Sequence, residues 1–175
     1  TLIGILDAND HEVAIDLRAT EKAFQLLYQV AGRAGRAHKK GRVLLQTETP
    51  DQPWIQALQS YNRDLFYESE RTLRQKLKMP PYYRLASLIV SAPTEQESQR
   101  TIQHLANFLK KHAFLTVYGP TPAPLYKINH WYRWRLLIRS DKEKILGSFL
   151  KKIVINTPKK THTKIQIDID PLSFL

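Results

Sequence analysis

The apolar residues in the C-terminal half of this chain change repeatedly between two spacings, and few folds accept the resulting order. A spacing of two is typical of strands, and a spacing near 3.6 is typical of helices. The four segments with strand spacing are 84–91, 115–118, 131–139 and 164–170, and helical stripes fill the first and third intervals. The order β-α-β-β-α-β predicts a small α+β domain of split β-α-β type, as in ferredoxin-like or ribosomal S10-like folds.

Capping residues mark where both of these helices begin. Thr94 with Glu97, and Ser140 with Glu143, have the spacing of a capping box. Between the second and third strands, three prolines within 119–124 predict a stiff, extended loop. The apolar stripes predicted to face inward are Ile102, Leu105, Ala106 and Leu109 in the first helix, and Ile145, Leu146, Phe149, Leu150 and Ile153 in the second.

The N-terminal half has a different organisation. Residues 51–78 carry apolar side chains at near-helical spacing, and Pro80 and Pro81 end that helix because proline cannot continue it. We predict an α/β protein with three parts. They are the end of a RecA-like lobe over 1–50, a helical bridge over 51–80 and the C-terminal α+β domain over 81–175.

The segment 29–36, Gln-Val-Ala-Gly-Arg-Ala-Gly-Arg, is the motif that points most directly to chemistry. Arginine keeps its charge and forks onto phosphate oxygens, so Arg33 and Arg36 are candidates for reaching a nucleotide. Gly32 and Gly35 lack the Cβ atoms that would hold a backbone away from a ligand. A basic surface loop without a ligand is the alternative interpretation.

The flanks of this motif favour the functional interpretation. A helix is predicted over 18–28, with short apolar strands over 2–7 and 43–45. The end of a RecA-like helicase lobe has this order of elements: strand, helix, glycine-arginine loop and strand. In such a lobe the arginines present cations to the γ-phosphate of a bound nucleotide.

The formal net charge of +11 predicts a polyanionic partner, and nucleic acid is the first candidate. A membrane surface is the rival partner, but no apolar run approaches the length of a membrane span. Because the sequence contains no cysteine, disulfides and cysteine-ligated zinc are excluded from this segment. Its six histidines have no metal-ligand spacing.

Strand 131–139 concentrates this charge on one face. Alternation places Tyr132, Trp134, Leu136 and Ile138 on one side and Trp131, Arg133, Arg135 and Arg139 on the other. Arginines interleaved with aromatic rings suit a phosphate backbone or a single strand. An acidic peptide or protein tail is a second possible ligand, and a solvated basic sheet face is the alternative without a ligand.

Seven segments, in order, resemble the C-terminal part of the primosomal replication-restart helicases, a family of bacterial superfamily 2 DNA helicases. They are Leu6-Asp7-Ala8, 16–21, 29–36, Met79-Pro80-Pro81, 119–124, Tyr132-Arg133-Trp134-Arg135 and Ile169-Asp170-Pro171. The resemblance implies an enzyme that uses ATP and Mg²⁺ to move 3′ to 5′ on DNA and restarts stalled replication forks. The family's phosphate loop, acid box and zinc-binding cysteines do not occur in this sequence. We therefore expect a piece of a longer protein, which alone hydrolyses no ATP and binds no zinc.

The resemblance also implies roles for individual residues. For the ATP site it implies Arg33 and Arg36 in catalysis, and Gln29, Gly32, Gly35 and Asp7 in nucleotide binding. For the C-terminal domain it implies binding to DNA, to the acidic tail of single-stranded DNA-binding protein and to other primosome proteins in the cytoplasm, but not to a membrane. The candidate contacts are Trp131, Arg133, Arg135, Arg139, Lys142 and Lys144. A stand-alone basic RNA-binding module without ATP chemistry is the alternative function.

Overall fold

The computed structural model describes residues 2–8, 18–34, 41–156 and 162–172, without the side chains of residues 143, 144, 154 and 156. The chain divides into two compact units, Thr1–Leu73 and Arg74–Leu175. The domain boundaries predicted near residues 50 and 80 stay predictions.

The first unit combines a parallel strand pair with helices. Strands β1 (Leu2–Ile5) and β2 (Arg42–Leu45) pair in parallel, and helix α1 (Ala19–Gly32) lies between them in sequence. Helices α2 (Pro53–Gln59) and α3 (Arg63–Lys76) follow. The predicted order of strand, helix and strand is observed, and the assignment to a RecA-like lobe stays a prediction.

Aromatic side chains form much of the core of the first unit. The rings of Phe24 in α1 and Phe66 in α3 stack with centroids 4.0 Å apart. Both side chains are almost fully buried, and Trp54, Ile55 and Leu58 of α2 pack around them. The predicted packing role of the apolar spacing over 51–78 is confirmed for Trp54, Leu58 and Phe66, whereas Tyr61 and Leu65 are exposed.

The prediction that residues 51–78 are mostly helical is confirmed, but the segment forms two helices, because α2 and α3 are separated at residues 60–62. Tyr61 has a φ of 51°, which breaks the helix. The Asn62 side chain then accepts the N–H of Leu65 at 3.0 Å and caps α3. At the other end of α3, Lys78 has a φ of 55° and terminates the helix before the two prolines.

The second unit is a four-stranded antiparallel sheet with two helices. Its elements are β3 (Arg84–Ala92), α4 (Glu95–Leu109), β4 (Leu115–Ile128), β5 (Trp131–Ser140), α5 (Glu143–Asn156) and β6 (Lys164–Ile169). The strands lie in the order β4-β5-β3-β6. The predicted order β-α-β-β-α-β is confirmed.

The helices α4 and α5 pack on one face of this sheet. That face contributes Ala86, Leu88 and Val90 of β3 to a core that also contains the complete predicted stripe of α4. In α5, Leu146 and Leu150 are fully buried, whereas Ile145 is 45% exposed. The predicted inward position of Ile145 is wrong. Adjacent residues of a helix point about 100° apart, and the next residue, Leu146, takes the buried position.

The Thr94 cap is confirmed, since its hydroxyl oxygen accepts the N–H of Glu97 at 3.4 Å. The Ser140 hydroxyl oxygen instead accepts the N–H of Lys142 at 3.1 Å, one residue before the predicted partner.

Residues 119–124 belong to β4, so the predicted loop is wrong. β4 is an edge strand that pairs only with β5 in the sheet. Proline, which lacks an N–H group, is therefore tolerated where that group would point away from β5. Its pairing with β5 shifts between Tyr118 and Thr121 and again between Pro122 and Lys127. The hairpin closes at Asn129 and His130, whose φ values of 48° and 64° match a two-residue turn.

Candidate nucleic-acid interface

Strand β5 separates apolar from basic side chains, as alternation predicted. Leu136 and Ile138 are fully buried in the core under the helices, and Trp134 packs against that core. The opposite side of β5 carries Trp131, Arg133, Arg135 and Arg139. We call the sheet surface that bears these four residues, turned away from α4 and α5, the outer face.

Strand register adds residues of the neighbouring strands to the outer face. Arg133 pairs with Ser91 of β3, which in turn pairs with Lys164 of β6. Asp168 reaches the same face through its pairing with Ser87. At about 3.4 Å per residue, the arginines of β5 span roughly 20 Å. The strands thus hold four cations against one carboxylate on this face, namely Arg133, Arg135, Arg139 and Lys164 against Asp168.

Arg135 occupies the middle of the outer face. It pairs with Ile89 of β3, whose side chain is almost completely buried. Burial lowers the pKa of the Arg135 guanidinium. Arginine nevertheless stays charged in proteins, so this residue supplies a partly desolvated cation whose attraction for an anion is weakly screened.

One end of the outer face carries a tryptophan beside two cations. The Lys164 ammonium lies 4.4 Å from the centroid of the Trp131 ring. The Arg133 guanidinium donates a hydrogen bond to the Leu125 carbonyl at 3.2 Å, which fixes it against β4. A base could stack on such a ring while its phosphates contact the cations.

The opposite end is built around Arg139. Its guanidinium carbon lies 5.7 Å from the ring centroid of Tyr83 and 5.4 Å from that of Tyr118. One of its N–H groups donates to the Leu77 carbonyl at 3.1 Å. We call Arg139, Tyr83 and Tyr118 the arginine–tyrosine stack. Two cation–π contacts and a hydrogen bond restrict the orientation of this side chain.

Sequence reasoning missed both tyrosines of this stack. Tyr118 precedes the proline-rich part of β4, and it reaches the outer face because it pairs with Leu137. Tyr83 lies between the two prolines and β3, outside any periodic segment. The alternation of 115–118 could have placed Tyr118 on one side of its strand. It could not show that this strand pairs with β5, because the strand order was unknown.

Two lysines near the start of α5 were predicted to contact DNA or a partner, and the structure describes the side chain of one of them. Lys142 is exposed, and its ammonium lies 5.4 Å from the centroid of the Phe114 ring, beside the arginine–tyrosine stack. The side chain of Lys144 lies outside the described residues. The candidate contact at Lys144 stays a prediction.

The hairpin that continues β4 and β5 is attached to α4. A hydrogen bond from the Tyr126 hydroxyl to the Glu95 carboxylate raises the pKa of Tyr126 to about 12. Near the turn, the Lys127 ammonium donates to the Tyr132 hydroxyl at 3.0 Å.

The glycine-arginine motif is only partly described. The predicted loop begins later than expected, because α1 continues through Gln29 and Gly32, and Arg33 caps its C-terminus. Gln29 and Arg33 are exposed. Gly35 and Arg36 lie outside the described residues.

Gly32 has a packing reason to be glycine. A Cβ at this position would lie 2.6 Å from the Tyr61 hydroxyl oxygen. Tyr61 cannot move freely, because its ring stacks on Tyr28 with centroids 4.2 Å apart. This glycine is therefore explained by packing in the first unit, without a nucleotide.

Asp7 follows β1 with a φ of 57°, and its side chain is exposed. The Ala8 N–H donates to the Gln46 carbonyl at 2.8 Å, which fixes this turn beside the end of β2. Asp7 thus lies at the carboxyl end of a parallel strand pair, where α/β proteins commonly bind ligands.

Among the described side chains, no three His, Asp or Glu residues come together as a metal site. None of the helices in the described ranges has the length and apolar composition needed to cross a membrane.

Comparison with known proteins supports the family resemblance over nearly the whole chain. The family model for the primosomal protein N C-terminal domain matches residues 75–172. The replication restart protein PriA of Bacillus subtilis is 37% identical over 176 residues, covering 98% of this chain and 22% of that protein. The same-named proteins of Rickettsia felis and Synechocystis are 38% and 37% identical and are covered to 27% and 21% of their lengths. The chain therefore spans about a quarter of these curated relatives.

Proposed function

Because this chain belongs to the family of the primosomal protein N C-terminal domain, we propose that it serves the restart of DNA replication and that its second unit holds single-stranded DNA on the outer face. The observation that carries this proposal is the row of Arg133, Arg135 and Arg139 on one side of β5. The fold that we infer for this unit is ferredoxin-like.

Charge and ring placement support a single strand as the ligand. Four strand cations face one carboxylate, so the outer face attracts a polyanion. Trp131 and Tyr118 lie near opposite ends of this row, and aromatic rings accept any base by stacking. Phosphate contacts of this kind carry no sequence information, so we expect binding with little sequence preference.

We further propose that the first unit belongs to a RecA-like lobe of an ATP-dependent 3′–5′ DNA helicase. Arg33 is an exposed cation at the end of a helix, which suits an approach to nucleotide phosphates. Arg36 would share this role, Asp7 and Gln29 would lie near the nucleotide, and Gly35 would shape the loop. Bound ATP and Mg²⁺ supply the phosphoryl chemistry, and residues outside this sequence would have to cradle the phosphates. Zinc would likewise belong to another part of the longer protein.

The acidic tail of single-stranded DNA-binding protein is the second candidate ligand of the outer face, because arginine also forks onto carboxylates. Further primosome proteins would be partners of the longer protein in the cytoplasm. A basic RNA-binding module without ATP chemistry is the remaining alternative. It predicts tighter binding of oligouridylate than of oligothymidylate, because only RNA offers 2′-hydroxyl groups.

The test replaces all three β5 arginines by glutamine and measures the anisotropy of labelled oligothymidylate against salt concentration. The slope of log affinity against log salt should fall by about 2, because each single-strand phosphate contact contributes about 0.7. The matched control replaces Lys110, Lys111 and Lys152, which are exposed at α4 and α5 on the helical side of the sheet. It should keep a larger slope than the arginine variant.

Two results would overturn the DNA assignment. A folded arginine variant with the parent's affinity and slope would leave the outer face as a solvated surface. A variant that keeps DNA but loses an acidic peptide would assign the face to a protein tail.

A further inference from the structure

A small polar cavity lies beside the arginine–tyrosine stack. Its volume is about 160 Å³, and it is lined by Lys78, Tyr83, Ala113, Phe114, Thr116, Arg139, Ser140 and Asp141. That space is large enough for a phosphate group, and it is open to solvent on one side.

The donors around the cavity suit an anion. Lys78 and Arg139 contribute charges, while Tyr83 and Thr116 contribute hydroxyl groups. Lys142 adds a third cation at its edge, over the Phe114 ring. Asp141 is the carboxylate in the lining, so among the described side chains three cations act against one negative charge.

Arg139 is already oriented for such a ligand. In the part of the chain that the structure describes, its guanidinium donates one hydrogen bond, to the Leu77 carbonyl. A guanidinium has five N–H donors, so four remain for oxygen atoms of a ligand. Its contacts with the two tyrosine rings and the Leu77 carbonyl restrict the guanidinium before any ligand arrives, which lowers the entropy lost on binding.

Lys78 reaches the same place through an unusual backbone. Its φ of 55° lies in the left-handed region that glycine normally occupies at the end of a helix. The Met79 N–H donates to the Arg74 carbonyl at 2.8 Å and holds this conformation. The Lys78 ammonium is 5.9 Å from the centroid of the Tyr83 ring.

We propose that this cavity binds a phosphate group, with Arg139 forking onto its oxygens and Lys78 and Thr116 completing the contacts. The phosphate belongs to the bound DNA strand, either as an internal backbone group or as the group at its end. That the phosphate comes from DNA rests on the proposed function. The cavity is distinct from the row of β5 arginines, because Lys78 and Thr116 also line it.

The first experiment titrates inorganic phosphate into the ¹⁵N-labelled chain at constant ionic strength, with chloride as the reference anion. Saturable amide shifts at Thr116, Ser140 and Asp141 are expected in the parent. They should vanish in Arg139→Gln and weaken in Lys78→Gln, which removes a charge and one contact with the Tyr83 ring from an exposed side chain. Arg139→Lys keeps the charge without the planar fork and should retain only a fraction of the shift. Lys110→Gln and Arg133→Gln should titrate like the parent.

The second experiment compares oligothymidylates with a 5′-phosphate and a 5′-hydroxyl group. If the cavity takes the strand end, the phosphorylated strand binds about tenfold tighter, as expected for a charge-assisted contact, and Arg139→Gln removes the difference. If it takes an internal phosphate, both strands bind alike and Arg139→Gln lowers the salt slope by about 0.7.

The outcomes separate this inference from the proposed function. DNA binding that persists while phosphate shifts nothing in the parent would overturn the phosphate site alone. If the parent does not bind DNA but its phosphate-induced amide shifts depend on Arg139, the phosphate site is supported and the proposed function is overturned. Parent-like phosphate titrations of both Arg139→Gln and Lys78→Gln would also overturn the site.

Discussion

Asp170 provides a sharp test of how the second unit is held together. Its Oδ1 accepts the Leu85 N–H at 3.0 Å, and its own N–H donates to the Leu85 carbonyl at 2.7 Å. Its Oδ2 lies 2.8 Å from Nε of Arg84. Asp170 has a φ of 49°, in the left-handed region that aspartate and asparagine tolerate better than alanine. The segment after β6 is thereby attached to the start of β3.

The expected cost of Asp170→Ala follows from these contacts. Losing a hydrogen bond to a charged acceptor costs about 1.5–3 kcal/mol, and left-handed backbone adds about 1 kcal/mol for alanine. The ion pair adds less than about 1 kcal/mol, because its side chains are 36% and 28% exposed and water screens them. We expect Asp170→Ala to lower the free energy of unfolding by about 3 kcal/mol. Asp170→Asn keeps an acceptor oxygen and should cost about 1 kcal/mol.

Urea denaturation followed by tryptophan fluorescence measures this difference. A Trp54→Phe background removes the tryptophan of the first unit, so that Trp131 and Trp134 report on the second. The reasoning would be refuted by an alanine variant as stable as the parent. An asparagine variant as unstable as the alanine variant would instead assign the stability to the ion pair.

Three further predictions concern other parts of the chain. Tyr126 should ionise near pH 12 in the folded chain against a usual value of 10.0, so its contribution to stability should be lost as the pH rises between these values. Ultraviolet titration of the parent and Tyr126→Phe checks this, and replacing Glu95 by glutamine should return the pKa towards 10.0. Gly32→Ala should raise the melting temperature of the first unit by less than a helix-propensity gain of about 1 kcal/mol allows, because its Cβ would displace the Tyr61 hydroxyl group. The gain should be larger in a Tyr61→Phe background, which lacks that hydroxyl group. In the full-length protein, Arg36→Ala should lower ATP turnover by on the order of 10³–10⁵ while DNA binding persists, and near-normal turnover in a steady-state assay would reject the role.

Periodicity predicted the second unit well because its helices and strands each bury one side. The stripe that includes Ile102 and Leu105, and the alternation of Ile165, Ile167 and Ile169, both face the core as expected. Local patterns of this kind depend on the repeat of the element alone. The separation of arginine from apolar side chains on β5 was predictable for the same reason.

The errors arose where position in the sheet or a single turn decides the outcome. Prolines within 119–124 predicted a loop, yet an edge strand accepts them, and strand order cannot be read from a local pattern. The break between α2 and α3 depends on the left-handed Tyr61 and the Asn62 cap within a continuous apolar spacing. The arginine–tyrosine stack joins residues far apart in sequence, so only the assembled sheet brings Tyr83 and Tyr118 to Arg139.

Chemical-shift mapping of the ¹⁵N-labelled chain with oligothymidylate tests the central claim most directly. If the outer face holds the strand, the largest changes should occur at Trp131, Arg133, Arg135, Arg139 and Lys164, including the side-chain signals of the tryptophan and the arginines. The exposed surfaces of α4 and α5, on the other side of the sheet, should change little. Changes confined to those helices, with the outer face unaffected at saturation, would contradict the account.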